Sequence, residues 1–142
     1  VTTIVCNRRS MAADKRISDS GGAAFMTTKI HRINGSLIGF CGNAEQAMQF
    51  IEWRRNPGAK PSFNEACFEA LELTAAGELL WWGSEMIALQ IEDGYFAIGS
   101  GASFALGAMA MGASPNKAIR IASQYDSATG AEVQTMTIGG KR

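Results

Sequence analysis

The chain has 142 residues, 46% hydrophobic and 18% charged, with 13 basic against 13 acidic side chains, so it fits one domain over 1–142 with a sizeable core. Zero net charge gives no field to draw it to nucleic acid or an anionic membrane and suits self-association. Its three cysteines, Cys6, Cys41 and Cys67, are odd in number and lack metal-ligand spacing, which implies reduced thiols, no metal and a soluble, cytoplasmic protein.

Val1 to Val5 is rich in β-branched residues and reads as a strand. It also holds a candidate nucleophile. A hydroxyl is a poor nucleophile at neutral pH, but a threonine at a chain terminus carries its own base, because an α-amino group titrates near about 7.7–8.0. Thr2 is that threonine. After Arg8-Arg9-Ser10 the run Met11-Ala12-Ala13 resumes, which suggests a short hairpin, and a three-residue loop at Asn7 to Arg9 is expected. That loop sets Cys6 opposite Ser10 and Thr2 opposite Asp14, with strands roughly 4.8 Å apart. A two-residue loop would slip the register and reverse the face.

Residues 18–24 are polar and glycine-rich, a connection, and Phe25 to Ile33 reads as a strand ended by the hairpin signal Asn34-Gly35. A two-residue turn there pairs Ile33 with Ser36 and, counted back, places Lys29 opposite Phe40 and diagonal to Gly39. Asn43 is the expected N-cap of a helix whose apolar residues include Ala47, Met48, Phe50, Ile51 and Trp53, stopped by Pro57-Gly58. Ser62 to Glu65 has the form of a capping box and predicts a helical stub, although Cys67 to Thr74 also reads as a strand. Strands are expected at Glu78 to Trp82, Met86 to Ile91 and Tyr95 to Ile98. Two helices follow, Ala102 to Met111 and Asn116 to Tyr125, then a last strand, Val133 to Ile138. The longest apolar run, Ala102 to Ala113, is well short of the roughly 20 residues of a membrane span, and no signal-peptide start is visible. Paired helices between strands imply an α+β fold with two sheets sandwiched by helices.

Several segments in this order resemble the proteasome β-subunit family and its bacterial heat-shock-locus V relative, within the N-terminal nucleophile hydrolases. They are Thr2-Thr3-Ile4-Val5, Ala13-Asp14-Lys15-Arg16, Lys29-Ile30-His31-Arg32-Ile33, Gly39-Phe40-Cys41-Gly42, Ala97-Ile98-Gly99-Ser100-Gly101-Ala102, Phe104-Ala105-Leu106-Gly107-Ala108-Met109, Gly112-Ala113-Ser114-Pro115 and Asp126-Ser127-Ala128-Thr129-Gly130. The resemblance implies a four-layer αββα sandwich assembled as a ring-shaped homo-oligomer around a chamber. It implies a threonine endopeptidase acting on peptides or unfolded proteins without a cofactor, and it leaves open an ATP-driven unfoldase as partner. Thr2 matches the nucleophile, Asp14 and Lys29 the pair flanking it, and Gly39 the backbone donor to the oxyanion. Ser100, Asp126 and Thr129 match the polar set that orients the amine. Thr27, Leu37 and Cys41 match the pocket for the residue before the cleaved bond, whose small and apolar walls predict a preference for apolar side chains.

Some features depart from the family. The first hairpin is a few residues short, a trimming that keeps the strand parity when both strands lose equally. The helical segment after Pro57 is abbreviated. Val1 matters most, because while it is attached Thr2 has an amide where the mechanism needs an amine. Its removal, a start codon read as Met in the cell, and an immature or inactive form are the three explanations.

Two other functions compete. A catalytically silent ring-forming subunit is the alternative, against which Thr2, Asp14, Lys29 and Gly39 together argue. A dinucleotide-binding module, prompted by Gly99-Ser100-Gly101, fails because Gly107 stands too far on for the third glycine. His31, the one histidine, reads as a pocket wall or structural residue and not as a base. Trp81-Trp82 reads as a strand pair with one ring inward.

Overall fold

Strand alternation sorts the apolar side chains into three layers of packing. In the computed structural model, which describes residues 2–18, 22–63, 65, 67–83 and 85–139, β1 (Thr3–Asn7), β2 (Ser10–Asp14), β10 (Tyr95–Gly99) and β11 (Val133–Thr137) form one antiparallel sheet in the order β10-β1-β2-β11. A second sheet runs β5-β6-β7-β8-β9, from Ile30–Ile33, Ser36–Gly42, Phe68–Leu73, Leu79–Trp82 and Ala88–Ile91. Ile4, Cys6, Met11 and Ala13 of the first sheet meet Ile30, Leu37, Leu71 and Leu79 of the second. The alternate residues Val5, Ala12 and Ala97 pack outward on α2 (Ala102–Ala110) and α3 (Pro115–Tyr125). On the other side Ile38, Phe40 and Ala70 pack on α1 (Ala44–Arg55) through Ala47, Phe50 and Ile51. The result is the αββα sandwich, with the period of two in each strand feeding two cores at once.

The helices start and stop where their end residues dictate. Asn43 caps α1 by accepting the Gln46 N–H, and Ser114 caps α3 by accepting that of Lys117, with Pro115 in the first turn. No described helix is long and apolar enough to cross a membrane. Each tryptophan of β8 takes one face: Trp81 joins the inter-sheet core and Trp82 the core under α1.

Asn34 and Gly35 both have positive φ, a tight turn that pairs Ile33 with Ser36 and Ile30 with Gly39, as the sequence predicts. Three expectations need correction. The first hairpin turns on two residues, Arg8 and Arg9, pairing Cys6 with Met11 and Ile4 with Ala13, which brings Thr3 and not Thr2 opposite Asp14. The cause is the Asn7 side chain, whose Oδ1 accepts both the Arg9 and Ser10 N–H groups at 2.8 and 2.9 Å and draws the turn tight. The stub expected at 62–65 is not helical at Ser62, Phe63 or Glu65, and Asn64 lies outside the described residues. Its backbone is satisfied from α1 instead: the Gln46 amide donates to the Glu65 carbonyl and accepts from the Cys67 N–H. Finally, the strand expected over 25–33 divides into β4 (Ala24–Met26), which pairs with β3 (Arg16–Ser18), and β5, because the Thr27 N–H is taken by the Lys15 carbonyl.

Gly39 lies where the two sheets approach closely. A Cβ there would stand 2.8 Å from Ile4 Cγ2 and 3.0 Å from Met11 Sδ. Gly39→Ala is therefore expected to lower the unfolding free energy by about 1–3 kcal/mol through overpacking. Urea denaturation checks this, and an unchanged midpoint would show that the sheets can part without cost.

Candidate active site

The site is built around a charge pair that water does not reach. Asp14, the last residue of β2, and Lys29, just before β5, both have fully buried side chains, and Lys29 Nζ lies 3.1 Å from Asp14 Oδ1. Burying two charges costs several kcal/mol each unless every remaining lone pair and proton is met. Here most are. Asp14 Oδ1 also accepts the Thr3 N–H at 3.1 Å, and Oδ2 accepts the Gly130 N–H at 2.9 Å. Lys29 Nζ donates a second bond to the Arg16 carbonyl. An ammonium has three protons, so one direction remains outside these two bonds. Gly130 is small for a reason: a Cβ there would stand 2.6 Å from Arg16 Cβ.

Burial lowers the Lys29 pKa from its ordinary value, and the neighbouring Asp14 carboxylate only partly restores it. The backbone at Lys29 is fixed from the opposite sheet. Gln134 of β11 accepts the Lys29 and Ile30 N–H groups through Oε1 at 3.1 and 3.2 Å and donates from Nε2 to the Ile30 carbonyl at 3.2 Å.

The second part of the site is a hydroxyl chain. Ser100 and Thr129 both donate to Asp126 Oδ2, and the Ala128 N–H donates to Oδ1 at 3.2 Å. Burial alone would raise the Asp126 pKa, but these three donors outweigh it and hold the carboxyl below its ordinary range. Since the Thr129 proton goes to Asp126, the 2.8 Å contact between the Thr3 and Thr129 hydroxyls has Thr3 as donor. Thr3 Oγ1 in turn accepts the Gly101 N–H at 2.9 Å. Gly101 must be a glycine, because a Cβ would stand 2.5 Å from Thr3 Oγ1. Ser100 N–H donates to the Thr2 carbonyl at 3.1 Å, and Gly99, at φ +101°, makes room for that carbonyl. The Gly-Ser-Gly stretch thus receives the start of β1, which accounts for its glycines without a phosphate.

Asp14, Lys29, Ser100, Asp126 and Thr129 are therefore joined in one network with the backbones of Thr2 and Thr3. Thr2 has its hydroxyl in none of these bonds. By alternation it faces as Ile4 and Cys6 do, toward the second sheet, whereas Thr3 faces the helices with Val5.

Gly39 does not serve as expected. The tight turn makes Ile33 and Ser36 the hydrogen-bonded pair, so by alternation Ile30 and Gly39 are a non-bonded pair, and the Gly39 N–H points to β7, where it pairs with Leu71. The same count points the Gly42 N–H to the β5 side, beyond the end of β5. Gly42 is exposed, ends β6 before the cap of α1, and has φ +97°; a Cβ on it would fall 2.3 Å from the Cys67 carbonyl. Two glycines three residues apart are indistinguishable without ladder parity.

The expected pocket is also rearranged. Leu37 is fully buried in the inter-sheet core, and Thr27 is half-buried with its N–H held by Lys15. Cys41 faces the same way as Leu37 but lines an open pocket at the end of β6, together with Gly42, Phe68, Glu69 and Trp81. An acidic group thus stands beside the expected apolar wall. Burial first, and then the Glu69 carboxylate, push the Cys41 thiol up to about 12, so it is a donor and not a thiolate. His31 stacks on Phe40 with centroids 6.0 Å apart on the α1 side, and burial, reinforced by the Arg55 charge, holds it neutral. Among the described residues no group of histidines, cysteines and carboxylates could hold a metal.

The Lys29 shift has a measurable sign. The unfolded chain binds the proton more tightly, so stability rises with pH from the folded pKa of Lys29 up to about 10.5, its unfolded value. Nitrogen-detected NMR of the Lys29 ammonium is expected to titrate below the other lysines. Titration with or above them would mean that Asp14 outweighs burial.

No family model matches the sequence, and no curated protein matches it. Solved structures do. HslV from Trypanosoma brucei superposes with a TM-score of 0.74 at 21% identity, covering 96% of this chain and 98% of that one. BPH from Thiobacillus denitrificans, also solved in complex with epoxomicin, gives 0.74 at 17% identity over 96% of both chains. A Gly-1 mutant of Anbu from Hyphomicrobium gives 0.73 at 12% identity, over 96% of this chain and 81% of that one. The fold is thus that of HslV, as the sequence resemblance implies.

Proposed function

We propose that the chain is a threonine peptidase whose nucleophile is the Thr2 hydroxyl and whose base is the Thr2 α-amine once that amine is free. The observation that carries this reading is the fully buried Lys29–Asp14 pair bound to the backbone of Thr3, with one ammonium proton outside its two bonds. A cation there favours the deprotonated forms of the hydroxyl and amine of Thr2. The Asp126 set then orients the chain start through Ser100 and the Thr2 carbonyl.

In the reaction the amine takes the proton from Oγ1 as Oγ1 attacks a peptide carbonyl. The oxyanion is stabilised by a backbone N–H, a donor whose loss elsewhere costs about 2.7–4 kcal/mol. Gly42 replaces Gly39 in that role, since its N–H points away from β7 at the end of the sheet where Lys29 stands. The protonated amine passes its proton to the leaving amine, giving an ester on Thr2. Water then attacks the ester and releases the acid. The epoxomicin complex of BPH supports testing this chain with an epoxyketone, which needs both a hydroxyl and a free amine.

Cytoplasmic ring assembly and access for unfolded chains belong to the same reading. They are supported by the likeness to HslV, the neutral net charge and the exposed Phe104, Met111 and Tyr125 on the helix layer.

A protein beginning at Thr2 is expected to hydrolyse small peptides and to gain the mass of one epoxyketone on Thr2. The form that keeps Val1, and Thr2→Ala, are expected to do neither, while light scattering shows all three well above 15.1 kDa. Equal reaction of the Val1 form would overturn the mechanism. An assembled but inert Thr2 form would instead establish the silent ring-forming subunit.

A further inference from the structure

The successive tryptophans of β8 each pair with a glutamate of β7, one on each face of the sheet. On the α1 face Trp82 Nε1 donates to Glu72 Oε1 at 3.0 Å, and Arg54 completes the unit with a 2.7 Å bond to Oε2. The Arg54 guanidinium also stands 5.5 Å from the Trp82 ring centroid. On the other face Trp81 Nε1 donates to Glu69 Oε2 at 2.8 Å, and Cys41 Sγ donates to Oε1 at 3.6 Å. Among the described residues no cation forms an ion pair with this carboxylate: Lys29, whose charge reaches Cys41, is bonded to Asp14 and the Arg16 carbonyl.

Glu69 is half-exposed and lies in the open pocket of about 320 Å³ that includes Gly42 and Phe68. The carboxylate is aimed by its two donors, and its remaining lone-pair directions are unused by them. The Trp81 ring is held in place as well, with its edge against Gly83, where a Cβ would stand 2.6 Å from Cη2. A fixed carboxylate beside an indole ring is a site for a guanidinium or ammonium, which gains both a charge-assisted hydrogen bond and a cation–π contact.

We propose that this pocket binds the arginine or lysine side chain of a substrate peptide next to the scissile bond. This rests on the peptidase reading, because Gly42 is both the proposed oxyanion donor and part of the pocket wall. A carbonyl held at the Gly42 N–H, on the β5 side, leaves a flanking residue on the β7 side over Glu69. The occupant repeats what Arg54 does on the opposite face.

Two readouts separate the proposal from the reading beneath it. The first is calorimetric binding of the peptides acetyl-Ala-Arg-Ala-amide and acetyl-Ala-Met-Ala-amide to the assembled Thr2→Ala protein. The basic peptide is expected to bind at least about tenfold more tightly, with the advantage kept in Glu69→Asp and lost in Glu69→Gln. The second is the ratio of kcat/KM for basic over neutral peptides in the form beginning at Thr2, expected to fall toward one in Glu69→Gln. Glu69-dependent binding without Thr2-dependent hydrolysis would uphold the pocket and overturn the peptidase. Hydrolysis at Thr2 with no basic preference, or a preference that survives in Glu69→Gln, would overturn the pocket alone. Thermal melts of both variants confirm that the sheet is intact.

Discussion

The structure depends on one ion pair that is expensive to bury. Lys29 and Asp14 are both sealed from water, so their partners are requirements and not decoration. The Thr3 N–H fixes where β1 stands beside β2. The Gly130 N–H brings in the segment after α3, and the Arg16 carbonyl holds the chain leaving β2. Gln134 holds the start of β5 from the other sheet. Moving any of these elements leaves a buried charge short of a bond, which costs more than the small apolar contacts nearby can return. The pair therefore registers both sheets at one end, and the same end carries the free edge at Gly42.

How far this is legible in the sequence depends on the turns. Asn34-Gly35 admits only a two-residue turn because both residues take positive φ, so the β5–β6 register, as far as Ile30 against Gly39, follows by counting. Asn7-Arg8-Arg9 carries no such glycine. Its tight form rests on one side-chain oxygen accepting two backbone N–H groups, a geometry that competes closely with the longer loop in sequence terms. The error amounts to a single residue, and it exchanges Thr2 for Thr3 as the partner of Asp14.

Gly39 and Gly42 show the same limit. The segment resemblance marks both, but the choice between them is a question of which side of β6 each N–H faces, and that is decided by a hairpin on one side and a ladder on the other. The Glu69 pocket could not be read at all. It exists because β7 pairs Glu69 with Cys41 while β8 brings Trp81 alongside, contacts between residues far apart in the chain. Periodicity places such residues on a face without saying which neighbour that face meets.

The adjacent threonines divide the work because successive strand residues face opposite ways. Thr3 spends its hydroxyl on Thr129 and Gly101, is fully buried, and gives its N–H to Asp14, so a substrate carbonyl has no path to its oxygen. Thr2 is also largely covered, but it faces the second sheet, where Lys29 and the end of β6 lie. The register slip therefore strengthens the proposed chemistry. With Thr2 opposite Asp14, the carboxylate would face the proposed nucleophile directly and hold its proton in place; with Thr3 opposite, Asp14 anchors the Thr3 backbone and the Thr2 hydroxyl stays out of its bonds. A residue that looks like a spare copy of the nucleophile is, on this view, the fixed mount that makes its neighbour usable.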